Sequence, residues 1–167
     1  MKKALKIGSF ILAGIAVLCL ILVAILYCIS GGFMKQTYME PWSKNYAEKY
    51  SDPRIRLAAS GLLAASNHNM QPWKISLDES DPMVFYLYAD SSRTTKEVDP
   101  YARQMMISQG TFLEYVAVTG EEEGYHANIA LFPDGTYDES HLTESMDSKP
   151  VAKITLTKTQ PESSTLY

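Results

Sequence analysis

From Ile7 to Ile29 the chain runs for 23 residues without a formal charge, and no other stretch limits its fold so strongly. A helix of that length spans about 34 Å at ~1.5 Å per residue, slightly more than the hydrocarbon core of a bilayer. Fourteen of these residues are Leu, Ile, Val or Phe. They favour insertion by roughly 4 to 8 kcal/mol before Ser9, Tyr27 and the glycines are set against them. The stretch reads as an uncleaved, single-pass transmembrane helix that meets the lipid bilayer through residues 7–29. A cleaved signal peptide is the alternative. Its apolar part usually runs about 7 to 15 residues, shorter than this one, although Cys28-Ile29-Ser30 ends in a small residue. Lys2, Lys3 and Lys6 precede the run and only Lys35 follows closely. That asymmetry places the N-terminus in the cytoplasm and the remainder of the chain outside it.

Beyond Ser30 there are 137 residues. A chain of that size buries roughly two-thirds of its unfolded surface, enough for a core that needs no cofactor. Hydrophobic residues at 46% and charged residues at 20% exclude a disordered or collagen-like chain. With Lys2, Lys3 and Lys6 set aside, 12 basic residues face 19 acidic ones, a balance of −7. Such a domain repels a phosphate backbone, so no nucleic acid is expected as a partner. Both cysteines, Cys19 and Cys28, fall in the apolar run. The domain itself therefore has no disulfide, thiolate nucleophile or cysteine-ligated zinc. His68, His126 and His141 lie far apart, and no metal is expected. Glycine-rich phosphate loops, Gly-x-Ser-x-Gly and His-Glu-x-x-His are all missing.

Residues 1–30 thus form a basic start and an anchor. Residues 31–50 mix aromatics with charges and read as a juxtamembrane linker, with one short helix after Pro41. Asp52-Pro53 predicts a helix start, a capping carboxylate followed by a fixed φ, and the helix should run to about Ala65. Trp73–Leu77 alternates as a half-buried strand does, Asp78–Pro82 is a turn, and Met83–Tyr88 pairs back. Asp99-Pro100 repeats the start signal for a helix over 100–120, with Met105, Met106, Phe112, Leu113, Val116 and Ala117 as its apolar stripe. Glu121–Glu123 oppose the helix dipole and should fray. Tyr125–Phe132 and Val151–Thr157 are further strands, with a polar loop at 136–150. The order predicts an α+β domain over 51–167, a mainly antiparallel sheet with packed helices.

One segment stands out: Ala64-Ala65-Ser66-Asn67-His68-Asn69-Met70-Gln71-Pro72-Trp73. Between a helix end and a strand start it presents hydroxyl, amide and imidazole groups to a partner with many hydrogen-bonding edges. The plainer reading is a helix C-cap with Asn67 or Asn69 left-handed, then Pro72 leading into the strand. The segment resembles the Ala-Pro-Ser-x-x-Asn-x-Gln-Pro-Trp motif of the nitroreductase family of FMN flavoproteins. It is closer to the Acg-type branch, which carries His-Asn before Gln-Pro-Trp. Leu87-Tyr88-Ala89-Asp90-Ser91-Ser92-Arg93, then Asp99-Pro100 with Arg103-Gln104, then Ile107–Glu114 extend the likeness over residues 52–157.

The resemblance implies an FMN-dependent oxidoreductase that takes electrons from a nicotinamide and reduces nitroaromatic or quinone-like acceptors. It implies cofactor contacts from Ser66, Asn67, His68, Asn69 and Gln71, with Trp73 as a core anchor. His68 stays open between a pocket wall and a residue capping its own loop. Arg103, in a helix's first turn, suits a facing phosphate; the other reading is a surface ion pair. Three departures stand beside the likeness. Ala65 replaces a proline. The Arg-x-Ser-x-Arg element that grips the FMN phosphate is missing, since Arg54 and Arg56 fall inside a helix. The chain also resembles only the N-terminal half of the double-length branch, so a homodimer or a second nitroreductase-like half is expected to complete the site. A catalytically inactive, membrane-tethered module that binds a flavin or a partner is the competing expectation.

Overall fold

The computed structural model describes residues 2–34, 37–43 and 45–162. Lys35, used above for orientation, and the tail 163–167 lie outside the described residues. The chain divides into two compact units, residues 1–38 and 39–167.

The first unit is built on α1 (Lys2–Ile29), of which Lys6–Ile29 is long and apolar enough to cross a membrane. Its apolar side chains, Phe10, Leu12 and Leu20 among them, are exposed rather than packed in a protein core. After its end the Tyr27 hydroxyl donates to Gly32 O at 2.9 Å and the Tyr27 ring meets Phe33 edge-on.

The second unit holds α2 (Pro53–Gly61), β1 (Trp73–Leu77), β2 (Val84–Ala89), α3 (Arg103–Glu123), β3 (Tyr125–Leu131), α4 (Leu142–Ser148) and β4 (Ala152–Lys158). The strands form one antiparallel sheet in the order β1-β2-β4-β3. The α+β expectation therefore holds. In register across the sheet, Leu77, Phe85, Ile154 and Ile129 share one face, which α2 and α3 cover. Lys74, Tyr86, Lys153 and Asn128 alternate onto the other, polar face, as antiparallel strands buried on one side do.

At the start of α2, Asp52 accepts the Arg54 amide at 2.9 Å and Pro53 takes the first turn, as its sequence predicts. Arg54 does more than follow the cap. Its side chain is buried; Nη1 donates to the carbonyls of Asp78, Asp81 and Val84, and Nη2 pairs with Asp52 Oδ2 at 2.8 Å. One guanidinium thus fastens the helix start to three carbonyls of the β1–β2 turn, of which those of Asp81 and Val84 also accept backbone amides. The α2 helix ends four residues earlier than its apolar residues suggest, because from Leu62 to Ala64 the amides bond three residues back and the helix tightens. Gly61 is where α2 crosses α3: a Cβ there would clash with the fully buried ring of Phe112.

Four other expectations are corrected. Short 3₁₀ turns at Thr37–Trp42 and Ala47–Lys49 replace one helix after Pro41, which lies inside the first of them. The long helix starts at Arg103, not at 100, because Ala102 takes a left-handed conformation; Asp99 still caps it from outside, accepting from the Arg103 and Met105 amides. Glu121–Glu123 do not fray: Arg56 holds Glu123 at 2.8 Å and left-handed Gly124 closes the helix. The 136–150 loop contains α4, whose signal is thin because only Leu142 and Met146 are apolar in its seven residues. That i, i+4 pair still faces inward, with Met146 buried beside Ala89, Met105 and Val151.

These contacts set three expectations. Arg54→Lys, which keeps the charge and loses the fork, should destabilise the domain by about 2–3 kcal/mol, read by chemical unfolding of the full chain followed by near-UV circular dichroism. Gly61→Ala should cost roughly 1–3 kcal/mol through overpacking against Phe112, whereas Gly110→Ala, where a Cβ meets open space, should stabilise by about 0.5–1 kcal/mol. Asp78 is held down to about 2 by the Ser80 hydroxyl and the amides of Asp81 and Ser80. The stability it contributes is therefore complete above its unfolded value of about 3.9 and is lost as pH falls from there toward 2. Asp78→Asn should flatten that part of the melting-temperature profile.

Candidate functional site

Residues 65–72 connect α2 to β1, and hydrogen bonds hold the amides of Asn67, Asn69, Met70 and Gln71 and the carbonyls of Ala65, Ser66, Asn67, Met70 and Pro72. Asn69 N donates to Ser66 O and Met70 N to Asn67 O, both at 3.0 Å. The Ser66 hydroxyl accepts from Gln71 N at 2.9 Å. His68, Asn69 and Gln71 all take positive φ, of 48°, 53° and 49°. For residues other than glycine such backbone costs about 1–2 kcal/mol each, less for Asn, so something must impose it.

The imposing element is one turn of α3. Ser108 Oγ accepts from Asn67 N at 2.9 Å, Thr111 Oγ1 donates to Ala65 O at 2.7 Å, and Gln109 Nε2 donates to Pro72 O at 2.6 Å. Gln109 is fully buried. From the other side Arg93 Nη1 donates to Met70 O at 2.7 Å while its Nε stands 3.3 Å from Asp90. Lys74 approaches the same carboxylate at 3.1 Å. Burial works against ionisation of Asp90, but the Ser92 hydroxyl and Lys74 outweigh it and hold the acid below the usual carboxylate range.

With the backbone committed, the side chains of Asn67, His68 and Asn69 have no hydrogen-bond partner among the described residues. The loop and α3 enclose an open pocket of about 310 Å³ lined by Ala65, Ser66, Asn67, Gln104, Ile107, Ser108 and Thr111. Amides and hydroxyls provide both donors and acceptors on one wall, and Ile107 provides an apolar contact on the other. That pairing suits a planar, heteroatom-rich molecule. No cation lines the pocket.

The five loop residues expected at a site are therefore brought together, although they face different ways. Ser66 and Asn67 line the pocket; His68 and Asn69 are exposed at the tip; Gln71 turns inward, with Nε2 3.5 Å from Leu62 O. Trp73 packs at 5.1 Å from Phe112, as a core anchor. Arg103 stands apart. It lines a different depression with Tyr101 and Glu139, its guanidinium 5.2 Å over the Tyr101 ring and 3.9 Å from Glu139. Two of the amides at the start of α3, where a phosphate would be favoured, those of Arg103 and Met105, are already taken by Asp99. Sequence reasoning missed Ser108, Gln109 and Thr111. Their signal was present as polar residues at the i+3, i+4 and i+6 positions after Met105, two of them on the stripe that Met105 and Phe112 define.

No protein-family model matches the chain. Two uncharacterized proteins of Mycobacterium tuberculosis are each 28% identical to it over 93 residues, 55% of this chain and 26% of theirs. The chain thus matches about a quarter of the length of those curated relatives. Solved structures that are similar to it include an FMN-dependent nitroreductase of Clostridium difficile, with 12% identity, a TM-score of 0.48 and coverage of 68% of this chain and 79% of that one. A nitroreductase family protein of Streptococcus pneumoniae aligns at 19% identity and a TM-score of 0.44, covering 70% and 83%.

Two substitutions test how the loop is held. Ser108→Ala should leave the Asn67 amide without its acceptor, cost about 1–2 kcal/mol and speed hydrogen exchange at Asn67. His68→Gly removes a left-handed residue with no side-chain partner, and should stabilise the domain by up to about 1 kcal/mol.

Proposed function

We propose that this chain is a membrane-anchored, flavin-binding protein of nitroreductase type, of the Acg-type branch, in which residues 65–71 and α3 grip the edge of the FMN ring. The observation that carries this reading is the division of labour in the loop: its backbone is held by α3 and Arg93, while Asn67, His68 and Asn69 keep their side-chain groups free beside a pocket with an apolar wall. Those groups match a ring system whose edge alternates carbonyls with ring nitrogens. The backbone that carries them is fixed in advance, so binding orders only their side chains.

The fit is to the ring edge only. A dianionic phosphate calls for cations or free helix amides, and the pocket lining offers neither. The phosphate site, and with it a complete redox centre, is assigned to a second copy of this chain or to a second nitroreductase-like half. Bound FMN would supply two-electron redox chemistry, the kind that reduces nitroaromatic or quinone-like acceptors at the expense of a nicotinamide. Asn67 and Ser66 would hold and orient the ring edge from the pocket, Asn69 from the tip, and Ile107 would exclude water from one side. Residues 7–29 anchor the domain, and the lysines at positions 2, 3 and 6 set the N-terminus in the cytoplasm and the domain outside. The absence of a cation from the pocket lining favours a second reading, a tethered binding module without catalysis.

Titration of FMN with the full chain in lipid nanodiscs, followed by flavin fluorescence, tests the first reading. Micromolar quenching is expected, weakened about tenfold by Asn67→Ala through the loss of one ring-edge hydrogen bond, and unchanged by Arg103→Ala. Two chains per flavin in the loaded particle would match completion by a second copy. A folded chain that leaves flavin fluorescence untouched sinks the flavin reading and leaves the partner-binding module.

A further inference from the structure

A second cavity lies away from the loop, and the two share no lining residue. It measures about 320 Å³ and sits among α2, β1 and the 3₁₀ turn that precedes α2. Small side chains, Ala58 and Ala59, leave the room; Trp73 and Phe112 form the inner wall; Tyr46 and Tyr50 form the outer one. The volume falls at the lower end of the ~300–1,000 Å³ found for small-molecule sites. Every lining side chain is aliphatic or aromatic, and its polar side-chain groups are the tyrosine hydroxyls and the indole N–H of Trp73.

The outer wall also carries a cation. Lys49 Nζ stands 3.8 Å above the Tyr46 ring and 5.2 Å from the centre of the Tyr50 ring. Among the described residues no carboxylate pairs with it, as is also true of Lys96, Lys149, Lys153 and Lys158; what sets Lys49 apart is its place over two rings of the cavity wall. An apolar slot walled by aromatic rings that hold an unpaired ammonium is complementary to one kind of molecule: a hydrocarbon tail ending in a negative head.

We propose that this slot binds a fatty-acid carboxylate, its acyl chain lying between α2 and β1 and its head paired with Lys49. Each methylene removed from water contributes about fourfold in affinity, so a partly inserted chain suffices for binding. The carboxylate gains an ion pair at a position where the ammonium already has aromatic faces beneath it and no direct ion pair among the described residues. The inference does not depend on the flavin reading.

The test uses the full chain in phosphatidylcholine nanodiscs, with a diazirine-bearing palmitic acid as probe and peptide mapping of the adducts after illumination. Adducts are expected on residues 46–59 and 73–77. Ala59→Leu, which fills the slot, should reduce them several-fold. Lys49→Glu should reduce labelling by the acid several-fold and leave labelling by the matching diazirine-bearing hexadecanol unchanged. If Ala59→Leu fails to fold, the Lys49→Glu comparison decides alone. Adducts confined to residues 7–29, or equal labelling of wild type and Lys49→Glu by the acid, would overturn the proposal.

Discussion

A single carbonyl, that of Pro72, joins three parts of the domain. It accepts from the buried amide of Gln109 on α3 and from the backbone of Asp90 beyond β2, and it ends the loop that carries the candidate site. The bond from Gln109 spans only 2.6 Å, and its other amide atom, Oε1, has no partner among the described residues. Turning the amide over would set two oxygens against each other at Pro72, so the orientation is fixed by the bond that is made. Ser108 and Thr111 extend the same grip to Asn67 and Ala65. Three neighbouring positions of one helix thereby determine where the loop runs and why it accepts left-handed backbone without glycine.

The position of charge follows a related logic. Asp52 and Asp99 each serve a helix start from outside the helix, and each does so next to a proline that cannot donate. Asp90 gathers Lys74 and Arg93 at the end of β2. Three of the four arginines are accordingly occupied with structure, Arg54 with the hairpin turn, Arg56 with Glu123 and Arg93 with the loop, while Arg103 lies over Tyr101 near Glu139. This explains, in terms of the molecule itself, why a chain rich in acids leaves no arginine free at the loop pocket.

Strands and their pairing were legible from the sequence because alternation survives wherever one face is buried. Phe85 and Leu87 against Tyr86 and Tyr88 show it plainly. The start of α2 was legible from Asp52-Pro53. The start of α3 was misplaced by three residues because Asp99 caps at a distance, through a left-handed Ala102 that no propensity predicts. Within the loop the residue types indicated a polar site correctly. Their division into backbone-holding and outward-facing groups was not visible, since it depends on Ser108 and Gln109, whose polarity hides them in an apolar stripe. Arg54 was obscured in the same way: a buried arginine looks like a surface one until its carbonyl partners, from 24 to 30 residues away, are in place.

The sheet order has a bearing on how the domain comes into being. β4 pairs with both β2 and β3, yet it is the last of the four strands to be synthesised. Until residues 152–158 emerge, the β1–β2 hairpin and β3 have no partner in common, and the apolar face over which α2 and α3 pack is split in two. A nascent chain therefore carries the unpaired edge of β2 from residue 89, and that of β3 from residue 131, until β4 is made, a state open to mispairing. Closure comes in one late step, when β4 slides between strands that were made before it.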